Sequence, residues 1–593
     1  MAPPKLDVTA HVGDRAVLLA FDVPHDDADG LAGFAVFVTP PKGKPYWLKN
    51  RLSFTRTTGS GNEMRYFDSQ DAPFQMFHWV HFPPEGPGTY RYEVTSRYFV
   101  DRVRATLRDG AKKELEVEIP EQQVADKVKV TIGMTRGYVS SQAFIDRFGG
   151  NADLTPDPWS PDADVSAFEP RYHFLGAHAR ELTLAFLDKV KSDRLDLDVF
   201  AYDLNSPEVV QRIAAIAKAG QTVRLFQDDS VGKDRDTGEP NGHGLDDSQE
   251  KTCAAFLEKA GVEVQFGHFS RFAHDKVFIA KKGKTALRVL TGSMNFSTRG
   301  IYVQSNHVLV IDDEDVATLY ETAFEQAFTE PRKFRQEPIS QSWLPSINDP
   351  FSISFAPHKQ AFPLDRVAQA INGSSSSVLF AIMEANSGGP VTAALRDIGD
   401  DTKVLSLGTI ESRGELKLFK PGSDGNSSVV SFDFLRSHAP EPFKDEVDAG
   451  DGRHIHHKFV VCDFNGAKPV VFCGSSNLAA GGETSNGDNL LAIEDRNVAT
   501  CFAVEAVRLF DHYRFRSRQQ HAPASKPLLL DKTNEWFQDF YNPHNLKSRE
   551  REEFIKQPLP AALAGAKGKL PIGGGGPRPA KRPAHRPQKR ARP

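Results

Sequence analysis

Cysteine is scarce. Four occur in 593 residues, at positions 253, 462, 473 and 501, and none forms a C-x-x-C pair. That supply builds neither a zinc knot nor a disulfide framework, so buried thiols in a reducing compartment are expected. No stretch approaches the roughly 20 apolar residues that span a membrane, and the opening Met1-Ala-Pro-Pro-Lys-Leu-Asp lacks the apolar core of an export signal. These absences exclude an integral membrane protein and imply a cytoplasmic one, peripheral at a membrane at most. Positive charge is also short over most of the chain. Lys567 to Pro593 holds nine Lys/Arg and no Asp/Glu within a net charge of −5, so the remainder carries −14. An acidic body is not a coat for duplex DNA. With 39% hydrophobic and 25% charged residues, the composition is that of a globular protein of several domains.

What the sequence does have is a repeat. Arg453–Asp463 reads R-H-I-H-H-K-F-V-V-C-D and is followed by Gly474-Ser475-Ser476-Asn477. An earlier copy reads His274-x-Lys276, then Gly292-Ser293-Met294-Asn295. In both copies the Asn lies 21 positions after the His, and the copies are 182 residues apart. The register continues through Ile311-Asp312-Asp313 and Ile493-Glu494-Asp495. A repeat kept only for its core preserves apolar positions, whereas this one also preserves His, Lys, Gly, Ser and Asn.

These residues suit phosphodiester chemistry. Attack at phosphorus needs a neutral imidazole, and departure of an alkoxide needs a protonated one. Two lysines and two asparagine amides can neutralise and hydrogen-bond the non-bridging oxygens. On a strand, H-x-K points both side chains to one face. His456-x-Lys458-x4-Asp463 with the following G-S-x-N, present twice but without the Asp in the first copy, resembles the phospholipase D superfamily, over about residues 128–542. The resemblance implies two halves face to face about a pseudo-twofold axis and a metal-independent phosphodiesterase working through a covalent phosphohistidine. It implies catalytic roles for His274, Lys276, Asn295, His456, Lys458, Asp463 and Asn477, with Ser293 and Ser475 adding donors to the substrate. No cofactor or metal is implied. Although His454, His456 and His457 have chelating spacing, Lys458 beside them argues against an ion.

The copies differ. Lys281 stands at the position of Asp463, and Asn306 at that of Asp488. In this superfamily the acid at the position of Asp488 hydrogen-bonds the motif His. Since a carboxylate keeps imidazole protonated better than an amide does, the expectation is that Asn306 backs a nucleophilic His274 and Asp488 backs His456, the general acid and then base. A similar asymmetry occurs in the tyrosyl-DNA phosphodiesterase branch. Arg271 and Arg453 lie three residues before each His, and the Gly-rich segment 228–247 between elements is a candidate for reading the substrate.

The expected fold is α/β: two duplicated phospholipase D-like domains, each a mixed sheet flanked by helices, forming one cleft, plus an N-terminal all-β sandwich. The boundaries are 1–124 for the sandwich, immunoglobulin- or fibronectin-like, 125–340 and 341–542 for the two halves, and 543–593 for a basic Pro/Gly-rich disordered tail. The substrate expected is a phospholipid headgroup phosphodiester at a membrane surface, with hydrolysis or transfer to an alcohol. The alternatives are a nuclease or other nucleic-acid phosphodiesterase, with the basic tail holding nucleic acid, and a catalytically degenerate phosphate-ligand binding protein.

Overall fold

Apolar alternation and β-branched runs form the strands, and amphipathic segments, several opened by proline, form the helices between them. The computed structural model describes residues 5–55, 66–121, 128–137, 144, 147–149, 153–233, 237–346, 350–385, 389–401, 403–411, 416, 428–432, 454–519 and 529–557. Among these, no helix is long and apolar enough to cross a membrane, and all four cysteines are buried and free.

Two antiparallel sheets, of three and four strands, build the N-terminal unit beside a short pairing of Lys49–Asn50 with Phe67–Asp68. One contains β1 (Asp7–Gly13), β2 (Ala16–Asp22) and β5 (His78–His81); the other, in order β4-β3-β6-β7, contains β3 (Leu31–Thr39), β4 (Tyr46–Trp47), β6 (Gly88–Asp101) and β7 (Thr106–Ile119). Val17, Leu19 and Phe21 from the first meet Phe34, Val36, Tyr90 and Tyr92 from the second in one core. Residues 529–557 return to that core. Phe537 and Phe540 are buried in it, Trp536 donates its indole N–H to the Leu31 carbonyl at 2.9 Å, and Arg551 pairs with Asp22 at 2.5 Å. Residues 543–557 therefore are not a disordered tail, as composition suggested; Leu546–Phe554 is a helix whose buried Leu546 and Phe554 hold it down. Each buried Phe contributes about 1.5–3 kcal/mol.

Two mixed sheets follow. The first, of seven strands, is ordered β8-β14-β13-β12-β9-β10-β11, comprising β8 (Lys129–Met134), β9 (Asp196–Ala201), β10 (Val223–Asp228), β11 (Glu263–Gly267), β12 (Lys276–Lys282), β13 (Thr285–Gly292) and β14 (His307–Asp312). The second, of eight, is ordered β15-β16-β22-β21-β20-β17-β18-β19, comprising β15 (Leu344–Pro345), β16 (Phe351–Ala356), β17 (Ser377–Ile382), β18 (Leu405–Ile410), β19 (Val429–Ser431), β20 (Phe459–Cys462), β21 (Val470–Gly474) and β22 (Asp488–Ile493). Apart from β15 the orders match strand for strand. In each, a parallel trio (β9, β10, β11; β17, β18, β19) joins an antiparallel run carrying the motif hairpin. Helices Glu314–Thr329 and Arg496–Gln519 lie between the sheets, and one apolar core runs through both. Each sheet's other face packs its own helices and core.

Candidate active site

The segments just before each H-x-K cross to the opposite half. Ala273 bridges Gly487, and Ile455 bridges Ser305. His274 N–H donates to the Gly487 carbonyl at 2.8 Å, and His456 N–H to the Ser305 carbonyl at 3.1 Å. Adding 182 to Ala273 gives Ile455 and adding it to Ser305 gives Gly487, so the two contacts exchange under a pseudo-twofold axis. The motif strands β12 and β20 thus bring His274 and Lys276, and His456 and Lys458, to one place, all buried.

The partners of the histidines are crossed with respect to the sequence expectation. His274 Nδ1 lies 2.7 Å from Asp488 Oδ1, and His456 Nδ1 lies 2.8 Å from Asn306 Oδ1. Asn306 and Asp488 begin or immediately precede the strands that close each motif, but the axis carries them against the other half's histidine. Ser293 and Ser475 also need correction. Their hydroxyls donate to Asn306 Oδ1 and Asp488 Oδ1, each at 2.8 Å, and so position those groups instead of facing substrate. Asn306 is oriented further by its Nδ2, which donates to the Gly300 carbonyl at 2.8 Å. Nδ1 of each ring is engaged, so chemistry at phosphorus would fall to Nε2.

Asp463 is the third correction. It lies at the far end of β20 from Lys458, about 16 Å away along an extended strand. Its carboxylate accepts the backbone N–H groups of Ser375, Ser376 and Ser377 at 2.7–3.1 Å, fastening the start of β17. The opposite half ties the corresponding corner by charge: Lys281 pairs with Asp198 at 2.7 Å and Glu321 at 3.0 Å. Asp463 is therefore a strap outside the cleft.

Gly292 and Gly474 have φ of +151° and +148°, and a Cβ there would come within 2.2 and 2.4 Å of the His307 and Asn489 carbonyls. The glycines let the chain pass its neighbouring strand as it turns toward Asn295 and Asn477. Asn295 donates Nδ2 to Asp203 at 2.7 Å. The Oδ1 atoms of Asn295 and Asn477 are buried without a hydrogen-bond partner among the described residues.

Burial presses His274 below the usual imidazole range and the Lys276 charge adds to this, while Asp488 opposes them. A neutral ring is the result near pH 7. Burial also lowers Lys276 to about 8 against the pull of Asp488 and Asp203. Its ammonium donates to the His274 carbonyl and stands 5.0 Å from the Tyr202 ring centroid. Lys458 donates to the His456 carbonyl at 2.7 Å. Asp275 is raised to about 7 by burial and the neighbouring Asp488 charge.

Sequence reasoning missed two carboxylates at strand ends. Asp228, ending β10, accepts from Ala273 N–H at 2.6 Å. Glu411, just past β18, accepts from His454 and Ile455 N–H at 2.9 and 2.6 Å. Each fixes the residue before a motif His. The available signal was an acid directly after a buried parallel strand. His457, facing away from His456, stacks on His307 and meets Glu505 at 3.0 Å in the interior. Arg271 stacks on Phe272 at 4.6 Å; Arg453 lies outside the described residues. Two donor sets among the described residues have the spacing to hold a cation, Asp203/His243/Glu250 and Asp198/Glu321/Glu325. In both, a protein cation already pairs with the carboxylates: His243, itself one of the donors, with Asp203 in the first, and Lys281 with Asp198 and Arg224 with Glu325 in the second.

Residues 186–328 match the family model described as "Cardiolipin synthase, PLD-like domain". The chain is 24% identical over 176 residues to the mitochondrial cardiolipin hydrolase of Canis lupus familiaris, covering 29% of this chain and 62% of that protein. For the mitochondrial cardiolipin hydrolase of Homo sapiens the figures are 26% over 168 residues, 28% and 59%. The chain thus spans about three fifths of the length of these curated relatives. Among solved structures, the phospholipase D family member Nuc from Salmonella typhimurium aligns at 21% identity and a TM-score of 0.21, covering 26% of this chain and 90% of that one. The family model's match over residues 186–328, the hydrolase relatives and the two H-x-K…G-S-x-N motifs agree in making this chain similar to the phospholipase D superfamily.

Proposed function

We propose that the chain is a phosphodiesterase that hydrolyses a phospholipid headgroup ester, or passes the phosphatidyl group to an alcohol, through a phosphohistidine. The carrying observation is the crossed pair of histidines, one on a carboxylate and one on an amide. Neutral His274 attacks phosphorus through Nε2, and Asp488 stabilises the positive charge that attack creates on the ring. His456 gives its Nε2 proton to the departing alkoxide. It then takes a proton from the water or alcohol that displaces His274 from phosphorus. Lys276, Lys458, Asn295 and Asn477 hold the non-bridging oxygens, and none of these steps calls on a metal. The first-motif His remains the nucleophile, for a reason opposite to the one the sequence offered: a carboxylate partner favours the ring that must become cationic on attack.

In this reading, residues 125–340 and 341–542 are duplicated halves sharing a cleft, save that the stretch from 529 packs into the N-terminal core, and 1–124 is an immunoglobulin- or fibronectin-like sandwich appended to them. The lipid substrate draws support from the acidic body of the chain and from the relatives named as cardiolipin hydrolases. The test offers cardiolipin, phosphatidylcholine, single-stranded DNA and double-stranded DNA in EDTA to the wild type and to His456→Ala. Lipid cleavage lost in the mutant supports the reading. DNA cleavage instead moves the protein to the nucleases, and activity only with added metal overturns the mechanism.

A further inference from the structure

His243 belongs to the Gly-rich segment after β10 and is absent from the mechanism above, yet it is tied to the first motif. Its Nε2 lies 2.7 Å from Asp203 Oδ1 and its Nδ1 2.9 Å from Asp228 Oδ2. A neutral imidazole has one N–H, so a ring facing a carboxylate on each side carries two and is cationic. Burial opposes that charge, but the hydrogen bonds to Asp203 and Asp228 raise its pKa to about 10. The ring stands edge-on to Tyr202 at 4.4 Å, and Tyr202 packs edge-on against the His274 ring at 4.8 Å. The other charged group facing His243 is Glu250, which is held by Asn205 at 2.9 Å.

The far oxygens of the two aspartates reach the site. Asp228 Oδ1 receives Ala273 N–H, and Asp203 Oδ2 receives Asn295 Nδ2. Burial raises the Asp203 pKa, but the His243 hydrogen bond and charge, joined by the Lys276 charge, outweigh it and hold the group below the usual carboxylate range. An ionised carboxylate only accepts hydrogen bonds, so it can receive only the NH2 end of the Asn295 amide. The amide is thereby locked in one of its two orientations, with its second N–H left for a phosphoryl oxygen. Were Asp203 protonated, it could donate to Oδ1 and the amide could turn over.

We propose that His243 is a positioning residue for the first motif: anchored by Asp228, it holds Asp203 so that Asn295 presents an N–H to the phosphoryl group. This rests on the phosphodiesterase reading of the site. It also gives segment 228–247 a role in the site through a side chain that does not itself touch substrate.

The test is a double-mutant cycle in the full-length chain with bis(p-nitrophenyl) phosphate as probe. His243→Gln should lower kcat about 10–100-fold with KM changed less than about threefold and the melting temperature nearly unchanged. In an Asn295→Ala background the same substitution should cost less than about twofold, because its target is gone. His243→Arg, a cation with donors on both sides, should recover part of the loss. Multiplicative effects in the cycle, or an unimpaired His243→Gln, would overturn the proposal. Should His243→Gln fail to fold, the isosteric Asp203→Asn takes its place in the cycle. Tungstate affinity of the same proteins separates the two ideas. A wild type that neither turns over the probe nor binds tungstate removes the phosphoryl site and His243's role together. A wild type that does either, with additive variants, removes only the role.

Discussion

The substitution Asp488→Asn puts an amide on both histidines, and the opposite half already displays the outcome. Asn306 Oδ1 accepts both the Ser293 hydroxyl and His456 Nδ1–H. The new amide at position 488 has the same two neighbours in Ser475 and His274. The His274 tautomer should therefore survive, and the loss should be that of the charge alone. A hydrogen bond to a charged acceptor contributes about 1.5–3 kcal/mol and one to a neutral acceptor about 0.5–1.5. With both groups buried, and a cation forming on the ring during attack, the difference should amount to about 1–1.5 kcal/mol, or roughly 5–13-fold in kcat. Loss of the tautomer would cost far more, about 10⁴-fold in the serine proteases. The pH profile supplies a second reading. Asp488 raises the His274 pKa, and attack needs the neutral ring, so removing the carboxylate should move the acid limb to lower pH. Single-turnover assays with bis(p-nitrophenyl) phosphate across pH would measure both. A loss under threefold, a loss near 10⁴-fold, or an acid limb moving upward would refute the reasoning, as would phosphate trapped on His456 in the wild type.

Lys276, lowered to about 8, is cationic below that pH and neutral above it. Tungstate affinity should therefore fall above about pH 8 in calorimetric titration, and Lys276→Arg should push that fall beyond pH 10. Asp463→Ala removes the acceptor for three backbone N–H groups. It should cost about 2–4 kcal/mol in urea denaturation while kcat of the folded protein stays within about threefold. Phe540→Ala, at a side chain 3% exposed in the N-terminal core, should destabilise by about 3–5 kcal/mol and release residues 529–557 to proteolysis before the motif halves unfold.

The hairpins at Lys276–Gly292 and Phe459–Gly474 were legible because strand alternation and a common offset of 182 fix them locally. The choice of partner was not. Asn306 stands at the same distance from His274 as Asp488 does from His456, so the sequence favours pairing within each half; only the backbone bridges Ala273–Gly487 and Ile455–Ser305 exchange them. Asp463 reads as a motif residue from its spacing, but an odd number of strand residues past Lys458 and the length of β20 take it to the wrong face and end. Asp203, His243 and Glu411 sit on loops whose spacing is not periodic, and Asp228 ends its strand at the edge of one, so alternation and helical period do not assign them to the site. The order of residues 543–557 depends on partners more than 500 positions away, among them His11, whose Nε2 lies 2.7 Å from the Phe554 carbonyl oxygen.

The seating of Phe537 and Phe540 between the first strands has a consequence for biosynthesis. The N-terminal unit leaves the ribosome first, yet two of its core side chains are made about 420 residues later. At roughly 5–20 residues per second, the nascent sheets wait on the order of 20–80 s with an unfilled seam. Throughout that interval both central sheets emerge and can close around each other. A segment translated after both central sheets then locks the unit made before them, and a chaperone that shields the open seam would raise the yield of the folded chain.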